Sequence, residues 1–192
     1  MAEAPASAAP KAHETPAQRR RRWGLFGGVV AAVVLLDQLT KVWVDGSFEL
    51  ASRAIPAGEP GGPTALVGEL VRIAKVYNDG AIFGFLDASA MLMAVLSVFV
   101  IVGVVWYEWR HGARLGPLVT AGLALLTGGA IGNLIDRVRF GYVIDFVDMG
   151  IGDTRWYAWN ISDASVFIGI LLLFAAAVLG DRAPGAGAGE PR

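Results

Sequence analysis

Asp145, in Gly141-Tyr142-Val143-Ile144-Asp145-Phe146, and Asp163, in Trp159-Asn160-Ile161-Ser162-Asp163-Ala164, are carboxylates set beside apolar sequence, the second just entering a long apolar run. An ionisable group at the centre of a membrane helix costs about 2.5–3.5 kcal/mol even on lenient insertion scales, which makes each a functional-site candidate. Singly, each has a plain structural explanation: a loop acid for Asp145, and for Asp163 a first-turn carboxylate complementing the helix dipole. Held together in a low dielectric, the two cannot both ionise cheaply, so one pKa rises and the pair shares a proton. Such a pair can activate water as general base and protonate a leaving amine as general acid. The spacing allows this contact, through a short excursion and return of the chain, but does not require it.

Other polar groups fall at helical spacing. Asp37 and Lys41 are i, i+4 and read first as an ion pair orienting the first helix, with direct catalysis the second reading. Asn133, Asp136 and Arg137 share one face at the end of a third helix, as a charge-neutral network fixing the next loop or as substrate contacts. Gly128 and Gly132 upstream permit close helix approach. Asn160 projects with Asp163 from the first turn of the fourth helix. Asp148 and Asp153, among Gly150 and Gly152, read as solvated loop carboxylates.

The elements that must position these groups are membrane helices. Of 192 residues, 55% are hydrophobic and 17% charged, with mean hydropathy +0.53, too apolar for an ordinary soluble domain. The chain has no cysteine, which removes disulfides, thiol nucleophiles and thiolate metal sites, and its two histidines, His13 and His111, lie far apart. The net charge of −1 argues against a nucleic-acid partner.

Four apolar stretches, about 23–44, 89–107, 115–135 and 160–180, each approach the roughly 20 residues that cross a bilayer. The expected fold is an all-α membrane protein of four transmembrane helices with a small extracytoplasmic β-sheet. Its parts are a disordered basic N-terminus (1–22), a membrane domain (23–180) and a disordered tail (181–192). Arg19 to Arg22 put the N-terminus in the cytoplasm, and successive crossings bring the 108–114 loop and the tail to the same side. A cleavable signal peptide ending near Leu36 is the weaker reading of the first span, since it would strand Asp37, Gln38 and Lys41. The outer segment, about 45–88, is too long to be structureless. Leu70 to Tyr77 reads as a strand ending at the turn Asn78-Asp79-Gly80, with Phe83, Phe85 and Leu86 as interfacial anchors.

Ordered along the chain, these motifs resemble a known family. Asp37-Gln38-Leu39-Thr40-Lys41, Asn78-Asp79-Gly80-Ala81-Ile82-Phe83-Gly84, Gly128 through Arg137, Val143-Ile144-Asp145-Phe146 and Asn160-Ile161-Ser162-Asp163 together look like those of the lipoprotein signal peptidases, the bacterial type II signal peptidases, over about residues 23–180. The resemblance implies an intramembrane-type aspartic endopeptidase with Asp145 and Asp163 as the catalytic pair, using neither metal nor organic cofactor. Its implied substrate is a prolipoprotein carrying diacylglycerol on its lipobox cysteine, cut on the N-terminal side of that cysteine. By the same carry-over, Asn133, Arg137 and Asn160 line the substrate cleft, Asn78 and Gly80 belong to the sheet that cradles the substrate, and Asp37, Lys41 and Asp136 support the site. A monomer in the bacterial cytoplasmic membrane is implied, its active site toward the extracytoplasmic face. Two positions depart from the family pattern: Ser162, where alanine is usual, and Ile82, where a second alanine is commoner.

Rival readings are a small proton-coupled transporter component, with Asp37, Asp136, Asp145 and Asp163 as a relay, and a noncatalytic membrane scaffold. The first expects polar groups near the midplane rather than gathered at one face. The second leaves the Asp145/Asp163 pair without a role.

Overall fold

The computed structural model describes residues 14–80 and 90–180. The expectations for Phe83, Phe85 and Leu86, for Ile82, and for the ends of the chain before residue 14 and after residue 180 lie outside the described residues. Among those residues there are four long helices and one sheet: α1 (Pro16–Ser47), β1 (Thr64–Val67), β2 (Val71–Asn78), α2 (Ala90–His111), α3 (Pro117–Phe140), β3 (Val143–Ile151), β4 (Thr154–Arg155) and α4 (Ile161–Leu179).

All four helices are long and apolar enough to cross a membrane. Their caps set where they begin and end. Thr15 caps α1 in a reciprocal capping box with Gln18, and Pro16 follows as a preorganised first residue. The helix therefore starts at Pro16 rather than at the expected residue 23, and Arg19 to Arg22 are helical. With 32 residues it measures about 48 Å at 1.5 Å per residue, against a hydrocarbon core of roughly 30 Å. Hydropathy marks the part of a helix that lies in lipid, whereas backbone hydrogen bonding carries it on into polar flanks. The expected 108–114 loop is likewise mostly ordered: α2 continues to His111, and a 3₁₀ turn covers Gly112–Arg114.

Helix α3 is central and packs on α1, α2 and α4, while α2 packs chiefly on α3. Small residues allow the approach. A methyl group on Gly128 would meet Val33 of α1, one on Gly129 would run into the Ser162 backbone, and Gly122 and Gly169 face each other between α3 and α4. Large side chains such as Phe99 (70% exposed) and Phe174 (69%) point outward, as lipid-facing residues do.

The sheet has the order β1-β2-β3-β4 and is antiparallel throughout. Its central pair, β2 and β3, is separated in sequence by α2 and α3. Val44 near the end of α1, Ile73 of β2 and Phe146 of β3 form the cluster that seats the sheet on the bundle. Trp159 bridges to Val147, so the chain leaves the sheet directly into α4.

Asp148 corrects the expectation of a solvated loop acid. It lies on β3, fully buried, and takes hydrogen bonds from three guanidinium groups: Arg72 at 2.6 and 2.8 Å, Arg53 at 3.0 and 3.2 Å, and Arg155 at 3.1 and 3.3 Å. One carboxylate thus ties the loop after α1 to β2, β3 and β4. Burial pushes its pKa up, but the Arg155 and Arg72 hydrogen bonds and the Arg53 charge outweigh it and hold the group below the usual carboxylate range. Asp153 is exposed, as expected.

Candidate active site

Asp145 is positioned by strand pairing. In the β2/β3 register Val76 opposes Asp145 and Asn78 opposes Val143, so Asn78 stands on the Asp145 face of the sheet, one pleat repeat along. Asn78 Nδ2 donates to Asp145 Oδ2 at 2.9 Å, and the Gly80 backbone N–H donates to Asn78 Oδ1 at 3.0 Å, fixing which end of the amide faces the acid. Gly80 makes that turn at φ +88°, a left-handed conformation that glycine adopts without strain.

Asp163 is positioned by a helix start. Asn160 caps α4 and accepts the Asp163 N–H at 3.0 Å, while Asp163 Oδ2 accepts the Asn160 N–H at 3.2 Å, completing a capping box. The other oxygen, Oδ1, accepts Asn133 Nδ2 of α3 at 2.8 Å.

Asn160 joins the two acids. Besides its contacts with Asp163, its Nδ2 donates to Asp145 Oδ1 at 2.7 Å and to Asn133 Oδ1 at 3.1 Å. Each carboxylate oxygen of the pair therefore has a neutral donor, and the same asparagine touches both groups. Asp145 is only 2% exposed and Asp163 is half-buried. Burial first, and the nearby Asp163 carboxylate second, raise the Asp145 pKa to about 7, against the opposing pull of Asn78, Asn160 and Lys41. Asp145 therefore holds its proton to far higher pH than an ordinary carboxyl. A buried acid that keeps its proton beside a more open carboxylate is the arrangement needed for paired acid–base work.

Behind the pair lies a polar layer between α1 and α3. Lys41 Nζ is 2.8 Å from Asp37 Oδ2 and 2.9 Å from Asp136 Oδ2. The expected Asp37–Lys41 pair is present, and Asp136 joins it instead of pairing with Arg137. Asp37 Oδ1 accepts the Ser162 N–H at 2.9 Å, and Asp136 Oδ2 accepts the Ile144 N–H at 3.2 Å. The two acids thus pin the backbone residues immediately before Asp163 and Asp145. Gly132 makes room for this layer, since a methyl group there would collide with Ser162 Oγ and come within 2.6 Å of Asp37 Oδ2.

Arg137 is half-buried at the edge of the site. One terminal nitrogen, Nη1, reaches its own helix at Asn133 O over 3.4 Å, and Nε has no hydrogen-bond partner among the described residues. A guanidinium with free donors beside an acid pair can receive carbonyl oxygens.

Sequence reasoning missed two residues. Gln38 donates to Asp37 Oδ2, Gly132 O and Asp136 Oδ1 at 3.0–3.2 Å, linking both supporting acids. Its place between Asp37 and Lys41 in an apolar helix was the available signal. Glu108, fully buried in α2 and 2.8 Å from Arg22, has no local pattern that betrays its partner, which comes from α1.

Comparison with known proteins agrees with the geometry. Residues 29–179 match the family model described as Signal peptidase (SPase) II. The chain is 38% identical over 145 residues to a lipoprotein signal peptidase of Halothermothrix orenii, covering 76% of this chain and 89% of that one. It is 34% identical over 160 residues to that of Syntrophomonas wolfei, with 83% and 93% covered. A solved structure described as a bacterial membrane enzyme superposes with a TM-score of 0.69 at 25% identity, covering 81% of this chain and 93% of that one.

Proposed function

The chain belongs to the signal peptidase II family, and on that premise we propose that Asp145 and Asp163 are the acid–base pair with which it cleaves diacylglyceryl-modified prolipoproteins. Family membership makes it a multi-pass bacterial membrane peptidase acting on prolipoproteins, and selects that reading over the transporter component. The observation that carries the site assignment is Asn160, whose amide nitrogen donates to Asp145 and whose backbone N–H donates to Asp163.

In the proposed reaction Asp145 begins with the proton and Asp163 without it. Asp163, the more open acid and the one at a helix N-terminus, takes a proton from water as the water oxygen attacks the scissile carbonyl carbon. Asp145 gives its proton to the carbonyl oxygen. Collapse of the tetrahedral gem-diol returns one hydroxyl proton to Asp145, breaks the C–N bond and passes the proton on Asp163 to the leaving amine of the lipid-modified cysteine, which restores the pair to its starting state. The Arg137 donors and the Asn133 and Asn160 amides line the space where the extended peptide lies, and Asn78 and Gly80 border it on the sheet side. No step calls for a metal or organic cofactor.

We read the enzyme as a monomer with both termini in the cytoplasm and the pair near the extracytoplasmic surface. Support comes from Arg19 to Arg22 at the opposite end of α1 from Asp37 and Lys41, and from the acid pair's place at the sheet end of the bundle. The lipid-modified substrate stays in the bilayer, so the pair must lie at a depth that water still reaches.

The test is cleavage of a diacylglyceryl-modified prolipoprotein in detergent. Asp145→Asn and Asp163→Asn should each lower kcat by at least about 100-fold, the scale of lost general acid–base catalysis, in a protein that still folds. Full activity in either variant overturns the pair.

A further inference from the structure

Lys41 is a buried ammonium that touches neither acid of the pair, yet it is connected to Asp163 through one amide. Its three N–H donors are all engaged: with Asp37 Oδ2 at 2.8 Å, Asp136 Oδ2 at 2.9 Å and Asn133 Oδ1 at 3.0 Å. Asn133 Oδ1 accepts a second hydrogen bond, from Asn160 Nδ2 at 3.1 Å. With two donors on its oxygen, the Asn133 amide can present only its NH₂ group to the other side, and there it donates to Asp163 Oδ1 at 2.8 Å. A flipped amide would set NH₂ against an ammonium and a carbonyl oxygen against a carboxylate.

Charge balance alone does not account for this contact. Asp37 also accepts from Ser162 N and Gln38 Nε2, and Asp136 also accepts from Ile144 N and Gln38 Nε2. Asn133 Oδ1, in contrast, has Lys41 as its one charged donor among the described residues. We propose that Lys41 is a positioning residue for catalysis, which locks the Asn133 amide with its donor toward Asp163 and so keeps that carboxylate aimed at the attacking water. This rests on the assignment of Asp145 and Asp163 as the acid pair.

The test is a double-mutant cycle on the full-length enzyme in detergent, with Lys41→Met, Asn133→Ala and the double variant assayed for kcat and KM on the lipid-modified prolipoprotein. Lys41→Met should lower kcat about tenfold or more with KM nearly unchanged. The double variant should then be no worse than Asn133→Ala alone, because the second loss acts through a group already gone. The pH profile gives an independent readout. Lys41 touches Asp37 and Asp136, Asp136 also feels the Arg137 charge, and the Lys41 charge favours the ionised form of Asp145 beside Asp163, so removing the ammonium favours protonated Asp145. The alkaline limb of kcat/KM should therefore move to higher pH. If Lys41→Met does not fold, Lys41→Met/Asp136→Asn removes one charge of each sign and carries the same cycle against Asp136→Asn. Losses that multiply independently, or an unmoved alkaline limb, overturn the proposal. Activity retained by Asp145→Asn or Asp163→Asn would instead overturn the acid pair itself.

Discussion

The side-chain amide of Asn160 lies 2.7 Å from Asp145 Oδ1, while its side-chain oxygen holds the Asp163 N–H at 3.0 Å. One residue is therefore both a helix cap and a ligand of the acid pair, and the two roles can be separated. Serine caps a helix about as well as asparagine but is too short to reach Asp145. Asn160→Ser should thus leave thermal stability close to that of the parent and lower kcat about tenfold or more, the worth of a hydrogen bond to a charged group. Asn160→Ala should lose the same activity and, in addition, about 1 kcal/mol of stability. Melting and single-turnover cleavage measured on both variants check the separation; a Ser variant as active as the parent would show that the cap alone matters.

With Asp145 at about pKa 7, the form carrying one shared proton is depleted as the pH rises, so kcat/KM should fall on the alkaline side of pH 7. The sign for stability is the same. A carboxyl whose folded-state value is raised contributes stability that is fully present below the ordinary carboxylate range and lost as the pH climbs through about 7. Asn78 donates to the ionised form and so depresses the value. Asn78→Ala should shift the alkaline limb upward, and a downward shift in the measured pH–rate profile would contradict the hydrogen bond.

The local parts of this site were legible in the sequence. Asp37 with Lys41, Asn160 with Asp163, and Gly128 with Gly132 are relations of three or four residues along one helix, where spacing fixes which side chains are neighbours. Relations carried by strand pairing were not. Val76 opposes Asp145 only because β2 and β3 meet after α2 and α3 have intervened, and a bulge between Ile73 and Val76 shifts the register. No local pattern in the Met149-Gly150-Ile151-Gly152 region announces a buried carboxylate, so Asp148 reads as solvent-exposed although Arg53 and Arg72 from distant segments, with Arg155 on the next strand, enclose it. The same holds for Asp136, whose neighbour in sequence is Arg137 but whose neighbour in space is Lys41.

Asp148 makes the sheet vulnerable at one point. Removing its charge takes from Arg72, almost fully buried, its buried carboxylate partner and leaves it the exposed Glu69, and breaking a buried pair in this way costs about 3–5 kcal/mol. Asp148→Asn should lower the melting temperature and loosen the β2–β3 pairing that holds Asn78 against Asp145, with activity lost in parallel. Because its folded-state pKa is depressed, its contribution is present above the ordinary carboxylate range and lost as the pH falls through the lowered value. Asp153→Asn, on an exposed turn, should change neither stability nor activity. Equal behaviour of the two variants in thermal unfolding would remove Asp148 from its place as hub.

Ser162 presents the opposite case, a polar group with nothing to gain. It is fully buried where α4 meets α3, its N–H held by Asp37 Oδ1, but its hydroxyl has no hydrogen-bond partner among the described residues and presses against Gly132. An unsatisfied buried hydroxyl costs about 1–3 kcal/mol, and alanine at this position would keep the backbone contact to Asp37 while removing that cost. Ser162→Ala should therefore be as active as the parent and about 1 kcal/mol more stable. Gly132→Ala, which drives a methyl group into the same corner, should lose about 1–3 kcal/mol through overpacking. Adding Ser162→Ala to it should recover only part of the loss, because Asp37 Oδ2 still stands 2.6 Å from the new methyl carbon. Thermal unfolding of the three variants orders them, and a destabilised Ser162→Ala would mean that the hydroxyl has a bonding role in the folded membrane protein.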